Sequence, residues 1–176
     1  MESIIKVYTD GSCRMTDQNN YGGIGFYFQN LNNISCSKSF CSKKVTNQRM
    51  ELLACIHAIK RCLKIMEKNT QVWELNIYSD SKYVIDSINE WAKNWEKNNW
   101  KKIKHGKLVP IKNKDLIVKL YKLSKMHPIK YFHIKSHQIQ PLDKQSNEWL
   151  NWNGNNIADQ LAKKAMKKII EKKNKN

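Results

Sequence analysis

Two segments far apart in the chain close in the same way: Ile4-Ile5-Lys6-Val7-Tyr8-Thr9-Asp10-Gly11-Ser12 and Leu75-Asn76-Ile77-Tyr78-Ser79-Asp80-Ser81-Lys82. Each reads as a strand rich in β-branched and aromatic residues, ended by an Asp with turn-type residues after it. Side chains alternate faces along a strand, so Asp10 is in phase with Tyr8 and Asp80 with Tyr78. If the two strands lie parallel and adjacent, both carboxylates leave the sheet on one side. Such a pair suggests a metal site.

The segment between them supplies a third carboxylate. Positions 47 to 68 read as a helix, with Thr46 as N-cap and Ala54, Cys55, Ala58, Ile59 and Cys62 recurring at helical spacing. Glu51 precedes Ala54, Cys55 and Ala58 by three, four and seven residues, which puts it on the face that packs against the sheet. Two roles fit it: a paired acid on a buried face, or a first-turn acid that only complements the helix dipole.

The chain has 176 residues and a formal net charge of +17. That length predicts one domain, over residues 1–172, with a frayed basic tail at 173–176. No run approaches the roughly 18 apolar residues that span a membrane, and no signal-peptide pattern opens the chain. The expectation is an intracellular protein, in cytoplasm, nucleus or a host cell, with no membrane partner. The five cysteines are odd in number and form no C-x-x-C pair, which argues against a disulfide framework or a zinc site. The cationic excess implies a polyanionic partner, although abundant Lys, Asn and Ile also suit an AT-rich coding bias. Asp10, Glu51 and Asp80 would repel a phosphate unless neutralised, and hard oxygen ligands of this kind suit Mg²⁺ or Mn²⁺.

Positions 22 to 29 and 34 to 40 read as two further strands after the first. The helix over 47–68, strand 75–79, helix 81–92, a basic segment, helix 113–126, strand 129–134 and helix 155–172 follow. This βββαβαβα order predicts an α/β fold: a five-stranded mixed sheet, three antiparallel strands then two parallel, flanked by helices. The basic segment alternates six lysines (Lys93, Lys97, Lys101, Lys102, Lys104, Lys107) with Trp91, Trp95 and Trp100. We expect it to form a basic helical protrusion suited to gripping a nucleic-acid backbone, though tryptophans also glue a protrusion to its body.

Taken together, Tyr-Thr-Asp-Gly-Ser at 8–12, Thr-Asn-Gln-Arg-Met-Glu at 46–51, Tyr-Ser-Asp-Ser at 78–81, His137 and Gly-Asn-x-x-Ala-Asp at 154–159 resemble a type 1 ribonuclease H. The resemblance runs from about residue 4 to residue 168, and five motifs in the right order make it specific. It implies a ribonuclease H-like fold and endonucleolytic hydrolysis of the RNA strand of an RNA/DNA hybrid, leaving 5′-phosphate and 3′-hydroxyl ends. It implies two Mg²⁺ ions, with Mn²⁺ as a substitute, on Asp10, Glu51, Asp80 and Asp159, the Gly11 backbone beside them, and no small-molecule cofactor. His137 matches the family's mobile histidine, a proton relay or aid to product release.

The same likeness implies the nucleic-acid contacts. Asn47 and Gln48 match residues in the RNA minor groove, and Gly11, Ser12 and Cys13 would meet neighbouring 2′-hydroxyls. Thr46 and Asn113 match a pocket for a DNA-strand phosphate, with Lys44 where many relatives place an Arg, so the bidentate fork is lost. Tyr83, Trp91, Trp95, Lys97 and Lys101 belong to the channel along which the DNA strand lies, and Ile103 stands where a Ser is common. The segment between His137 and Asp159 is longer than in compact members and carries Pro141, Asp143, Glu148, Trp149 and Trp152; we expect a flexible arm that positions His137 and touches the hybrid. A separate N-terminal hybrid-binding module is not expected, and a monomer is. The competing readings are a non-catalytic hybrid-binding scaffold, a DNA-cutting relative of the same fold, and a basic protein that coats nucleic acid by charge alone.

Overall fold

The alternation of the first strand decides what lies on each side of the sheet. Strand β1 (Ser3–Met15) buries Ile5, Val7 and Thr9 on one face and Tyr8 and Asp10 on the other. The computed structural model describes residues 3–31, 34–67, 72–136 and 138–174. Its main sheet adds β2 (Asn20–Phe28), β3 (Ser35–Cys41), β4 (Trp73–Ser79) and β7 (Ile129–His133), in the order β3-β2-β1-β4-β7. The pairs β1 with β2 and β2 with β3 are antiparallel, whereas β1 with β4 and β4 with β7 are parallel, as expected.

Helix α1 (Asn47–Met66) covers the Val7 face. The Thr46 hydroxyl caps it, accepting from the Arg49 N–H at 3.3 Å, and Leu52, Cys55, Ile56, Ile59 and Cys62 are buried in the main core with Val7, Phe28 and Ile77. Helix α4 (Lys114–Met126) adds Ile117 and Leu120 to that core. Each such side chain contributes roughly 1.5 to 3 kcal/mol on burial.

Helix α5 (Asn147–Asn174) lies across the opposite face. A Cβ at Gly25 would meet the Ala158 carbonyl and one at Gly23 the Ala162 carbonyl, so helix and β2 approach there backbone to backbone, while a Cβ at Gly154 would meet the Tyr8 ring. This helix begins eight residues before the expected start at 155 and continues through Lys172 and Lys173 to Asn174, past the point where fraying was expected. Ser146 starts it: its hydroxyl accepts from the Trp149 N–H at 3.1 Å. Gly154, just before the expected start, is a helical residue kept small by the tyrosine beneath it.

The basic segment departs from the helical protrusion. Helix α2 (Lys82–Asp86), a π-helical turn (Ser87–Trp91) and α3 (Ala92–Lys97) follow one another, and there the helix ends. Asn99 and Trp100 both take left-handed backbone, and the chain turns into a hairpin of β5 (Lys101–Lys104) and β6 (Lys107–Pro110). His105 and Gly106 join the strands with φ of 48° and 73°, the two positive values of a tight two-residue hairpin turn. The protrusion is therefore half helix and half hairpin. No helix among the described residues is long and apolar enough to cross a membrane.

Candidate active site

Four aromatic rings stack across the sheet on the α5 face and set the height of the acids beyond them. Tyr8 pairs with Tyr78 in the parallel register, Tyr78 with Phe132, and Tyr8 with Tyr27. Ring centroids are 5.1, 5.1 and 6.4 Å apart respectively. Asp10 and Asp80 each stand two residues past a member of the paired Tyr8 and Tyr78, Asp80 just beyond β4 but Asp10 inside β1, which runs on to Met15 instead of ending there as expected, so both leave the sheet at one level.

Glu51 joins them from the other layer. A Cβ at Gly11 would overlap the Glu51 backbone nitrogen, so only glycine lets β1 run against the first turn of α1. One carboxylate oxygen each from Asp10, Glu51 and Asp80 lies within 4.8 Å of the others. Glu51 is 5 % exposed and Asp10 7 %. Asp10 Oδ1 accepts from the Gly11 N–H at 2.7 Å, and Glu51 Oε1 from Asn47 Nδ2 at 3.4 Å. Glu51 Oε2 is buried without a hydrogen-bond partner among the described residues. Burial, reinforced by the neighbouring Asp80 charge, pushes the Asp10 carboxyl up to about 7. Burial and the charges of Asp10 and Asp80 hold Glu51 well above the usual carboxylate range.

Asp159 projects from α5 into the same cleft, whose volume is about 550 Å³ and whose walls include Asn47, Ser12, Trp152, Asn155 and Lys163. It stands outside the tight trio of acids, and its carboxylate accepts from Lys163 Nζ at 2.7 Å. His137 lies outside the described residues. Several cleft residues had drawn no role from the sequence, among them Lys135, Asn155 and Lys163. Asn155 and Lys163 sit four residues either side of Asp159 on one helix, a spacing that could have found both. Asn155 Oδ1 is buried without a partner among the described residues.

The anticipated nucleic-acid contacts divide. Gly11, Ser12 and Asn47 line the cleft, and Gln48 is exposed one residue further along α1. Cys13 is not among the cleft residues; its thiol faces the Val45 carbonyl at 3.9 Å. Asn113, in left-handed backbone at φ 54°, donates from Nδ2 to the Tyr83 hydroxyl at 3.2 Å. The Thr46 hydroxyl is engaged in capping, and Arg49 ties that first turn to Asp115 at the start of α4 through two hydrogen bonds of 2.9 and 2.6 Å. Trp91 and Trp95 pack against each other at 5.4 Å, and Lys44, Lys97 and Lys101 are exposed. Trp149 and Trp152 lie on helix α5 and not on a flexible arm, 6.4 Å apart, and Trp152 Nε1 donates to the Gln138 carbonyl at 3.2 Å.

The donor set fits a divalent cation. Three carboxylates converge, one buried oxygen lacks a partner, and no Lys or Arg ion pair reaches Asp10, Glu51 or Asp80 among the described residues. Oxygen ligands alone suit Mg²⁺ or Mn²⁺.

The RNase H family model matches residues 2–167. The chain is 37 % identical over 171 residues to the ribonuclease H of Clostridium botulinum, a match covering 94 % of this chain and 97 % of that one. Among solved structures, the PFV RNase H domain in solution superposes with a TM-score of 0.68 at 25 % identity, covering 94 % of this chain and 96 % of the other. LC11-RNase H1, crystallised in complex with RNA/DNA hybrid, gives 0.62 at 19 % identity, covering 94 % and 99 %.

Proposed function

The chain belongs to the ribonuclease H family, and from that premise we propose that it is an endonuclease cutting the RNA strand of RNA/DNA hybrids with two divalent cations, leaving 5′-phosphate and 3′-hydroxyl ends. The observation that carries this reading is the trio of acids, two of them buried, converging within 4.8 Å in a chain of net charge +17. A scaffold that only binds hybrids needs no such arrangement, since burying like charges together destabilises the fold.

In this reading Asp10, Glu51, Asp80 and Asp159 would together hold the two Mg²⁺ or Mn²⁺ ions. The pair of cations supplies, when bound, the charge that activates a water at neutral pH and stabilises the leaving 3′ oxygen. The protein's own residues do the positioning. Gly11 brings the Glu51 turn against β1, the tyrosine stack fixes the level of Asp10 and Asp80, and the glycine seam under α5 delivers Asp159. His137 relays a proton or aids product release, tasks that suit an imidazole.

Strand choice follows from contacts on either side of the cleft. Asn47 and Gln48, with Gly11, Ser12 and Cys13, read the minor groove and 2′-hydroxyls of the RNA. Thr46, Asn113 and Lys44 hold a phosphate of the DNA strand, which runs on past Tyr83, Trp91, Trp95, Lys97 and Lys101. The enzyme acts inside the cell as a monomer. The test is cleavage of a hybrid labelled on either strand beside RNA duplex, DNA duplex and single strands, with Mg²⁺ or chelator. Metal-dependent cutting of the hybrid's RNA strand alone, lost in Asp10→Asn, is the expected result; hybrid binding without cutting overturns the enzyme reading.

A further inference from the structure

Strand β1 does not stop at the acids. It runs on to Met15, and the alternation that turns Asp10 toward helix α5 turns Ser12 and then Arg14 the same way, while Cys13 between them faces the Val45 carbonyl on the other side. Helix α5 keeps pace with it. The Ser12 hydroxyl donates to Met166 Sδ at 3.5 Å, and Ile170, one turn further along, shares a cavity of about 430 Å³ with Arg14, Gln18, Tyr21 and Asn174. No ion pair among the described residues engages Arg14, although Asp17 is on the wall of the same cavity. Exposed Lys167 stands four residues past the cleft residue Lys163 and three before Ile170, which puts it on the helix face that joins the two cavities. A cationic track thus leaves the cleft along the seam of β1 and α5 and ends beside an arginine fork and a tyrosine ring.

We propose that the Arg14 cavity is a second contact for the RNA strand, outside the cleft, in which the Arg14 guanidinium holds one phosphate and Tyr21 lies against the adjoining sugar. The planar fork of an arginine suits a phosphodiester. The contacts assigned above run the RNA along β1, at Gly11 and Ser12, and the DNA past Thr46 and Trp95, so the backbone that continues along β1 is that of the RNA. The inference rests on that reading. Asp10 and Arg14 are four residues apart on one strand, about 13 Å at about 3.3 Å per residue. A duplex strand advances about 3.4 Å per nucleotide, so the contact falls about four base pairs from the cut. The cavity then works as a length gauge: the hybrid must extend that far on one side of the cut to be held fully.

Hybrids shortened stepwise from either end of the RNA strand test it, read as KM and kcat for cleavage and as affinity in chelator, in wild type and Arg14→Gln. On long hybrids Arg14→Gln should raise KM about fivefold, the upper scale of one solvent-exposed ion pair, with kcat unchanged. The slope of log affinity against log salt should fall by about one. Trimming the wild-type substrate to within about four base pairs of the cut on one side should raise KM by the same factor, and in Arg14→Gln that trim should cost nothing more. Lys60→Gln, an equal loss of charge at an exposed position of α1, should respond to trimming as the wild type does. The inference is overturned, with the hybrid-cutting reading intact, if Arg14→Gln keeps the wild-type KM and salt slope or still responds to trimming. It is overturned equally if Lys60→Gln loses the trimming response. No cleavage by the wild type overturns the hybrid-cutting reading instead, and affinity in chelator then decides whether the trimming response runs through Arg14.

Discussion

The Tyr8 hydroxyl, beneath helix α5, donates to Asn151 Oδ1 at 2.9 Å and so joins the middle of the sheet to the helix that carries Asp159. Tyr8 is wholly buried, and Gln29 Oε1 at 3.1 Å is an alternative acceptor for the same hydroxyl hydrogen. In Tyr8→Phe the ring and its stacking remain, while the one donor that the Asn151 and Gln29 oxygens share is lost. Urea unfolding should show a loss of about 1 to 2 kcal/mol. A loss near zero would mean that this bond does not help hold the helix.

Gly25→Ala probes the same seam from the strand. Its new methyl would run into the Ala158 carbonyl, next to Asp159 in sequence, and the helix backbone has no flexible side chain to yield there. The expected cost is about 1 to 3 kcal/mol in stability. Cleavage should fall further than the folded fraction does, because the helix must lift and take Asp159 with it. Circular dichroism and single-turnover rates on the same samples separate the two effects.

The buried acids set a pH dependence for the metal-free protein. Asp10 is held up to about 7 against an ordinary 3.8, so in the folded state it stays protonated where the unfolded chain has already ionised. Its contribution to stability is complete below about pH 4 and is lost as pH rises through about 7; the raised Glu51 acts in the same direction. In chelator, the melting temperature should fall from about pH 5 to about pH 8, and Mg²⁺ or Mn²⁺ should restore it at the upper end. Asp10→Asn should melt higher than wild type in chelator at neutral pH, and lose about a thousandfold or more in cleavage rate. A flat melting profile in chelator would count against the buried charges as a source of instability.

Arg49 links the turn bearing Thr46, Asn47 and Gln48 to Asp115, two residues after Asn113. The pair is partly exposed, at 22 % and 60 %, so Arg49→Met should cost about 1 kcal/mol or less in unfolding. Its larger effect should be on KM for hybrid with kcat little changed, since the two halves of the proposed DNA-phosphate pocket lose their tie. An unaltered KM would show that Thr46 and Asn113 hold their positions without it.

What was legible in the sequence followed from strong periodic signals. The period of two put Asp10 with Tyr8 and Asp80 with Tyr78, and the parallel register between those tyrosines delivers both acids at one edge. The apolar rhythm after Thr46 located α1 and set Glu51 on its buried face, against the reading in which it only answers the helix dipole. The hairpin over 101–110 was hidden because half of its strand residues are lysine and the rest show no alternating apolar face, and His105-Gly106 was its one local signal. The early start of α5 was hidden because the Gly154-Asn155 motif read as the beginning of the helix, and only the tyrosine packed beneath Gly154 explains a glycine inside it. Lys163 drew no attention since one lysine among the 32 basic residues carries no pattern of its own.

The close fit of α5 on the strands has a consequence for how this chain can be rebuilt. The helix is keyed to the sheet at Gly23, Gly25 and Gly154, so the coordinates of Asp159 are fixed from its own contacts and not from the chain leading up to it. The stretch 139–142 is thereby released from metric duty: Ile139 and Leu142 stand in solvent, between the Gln138 carbonyl that holds Trp152 and the Asp143 carbonyl that holds Ser146. It is the natural graft point of the molecule, a loop where an added binding module could be inserted beside the cleft without disturbing the acid downstream.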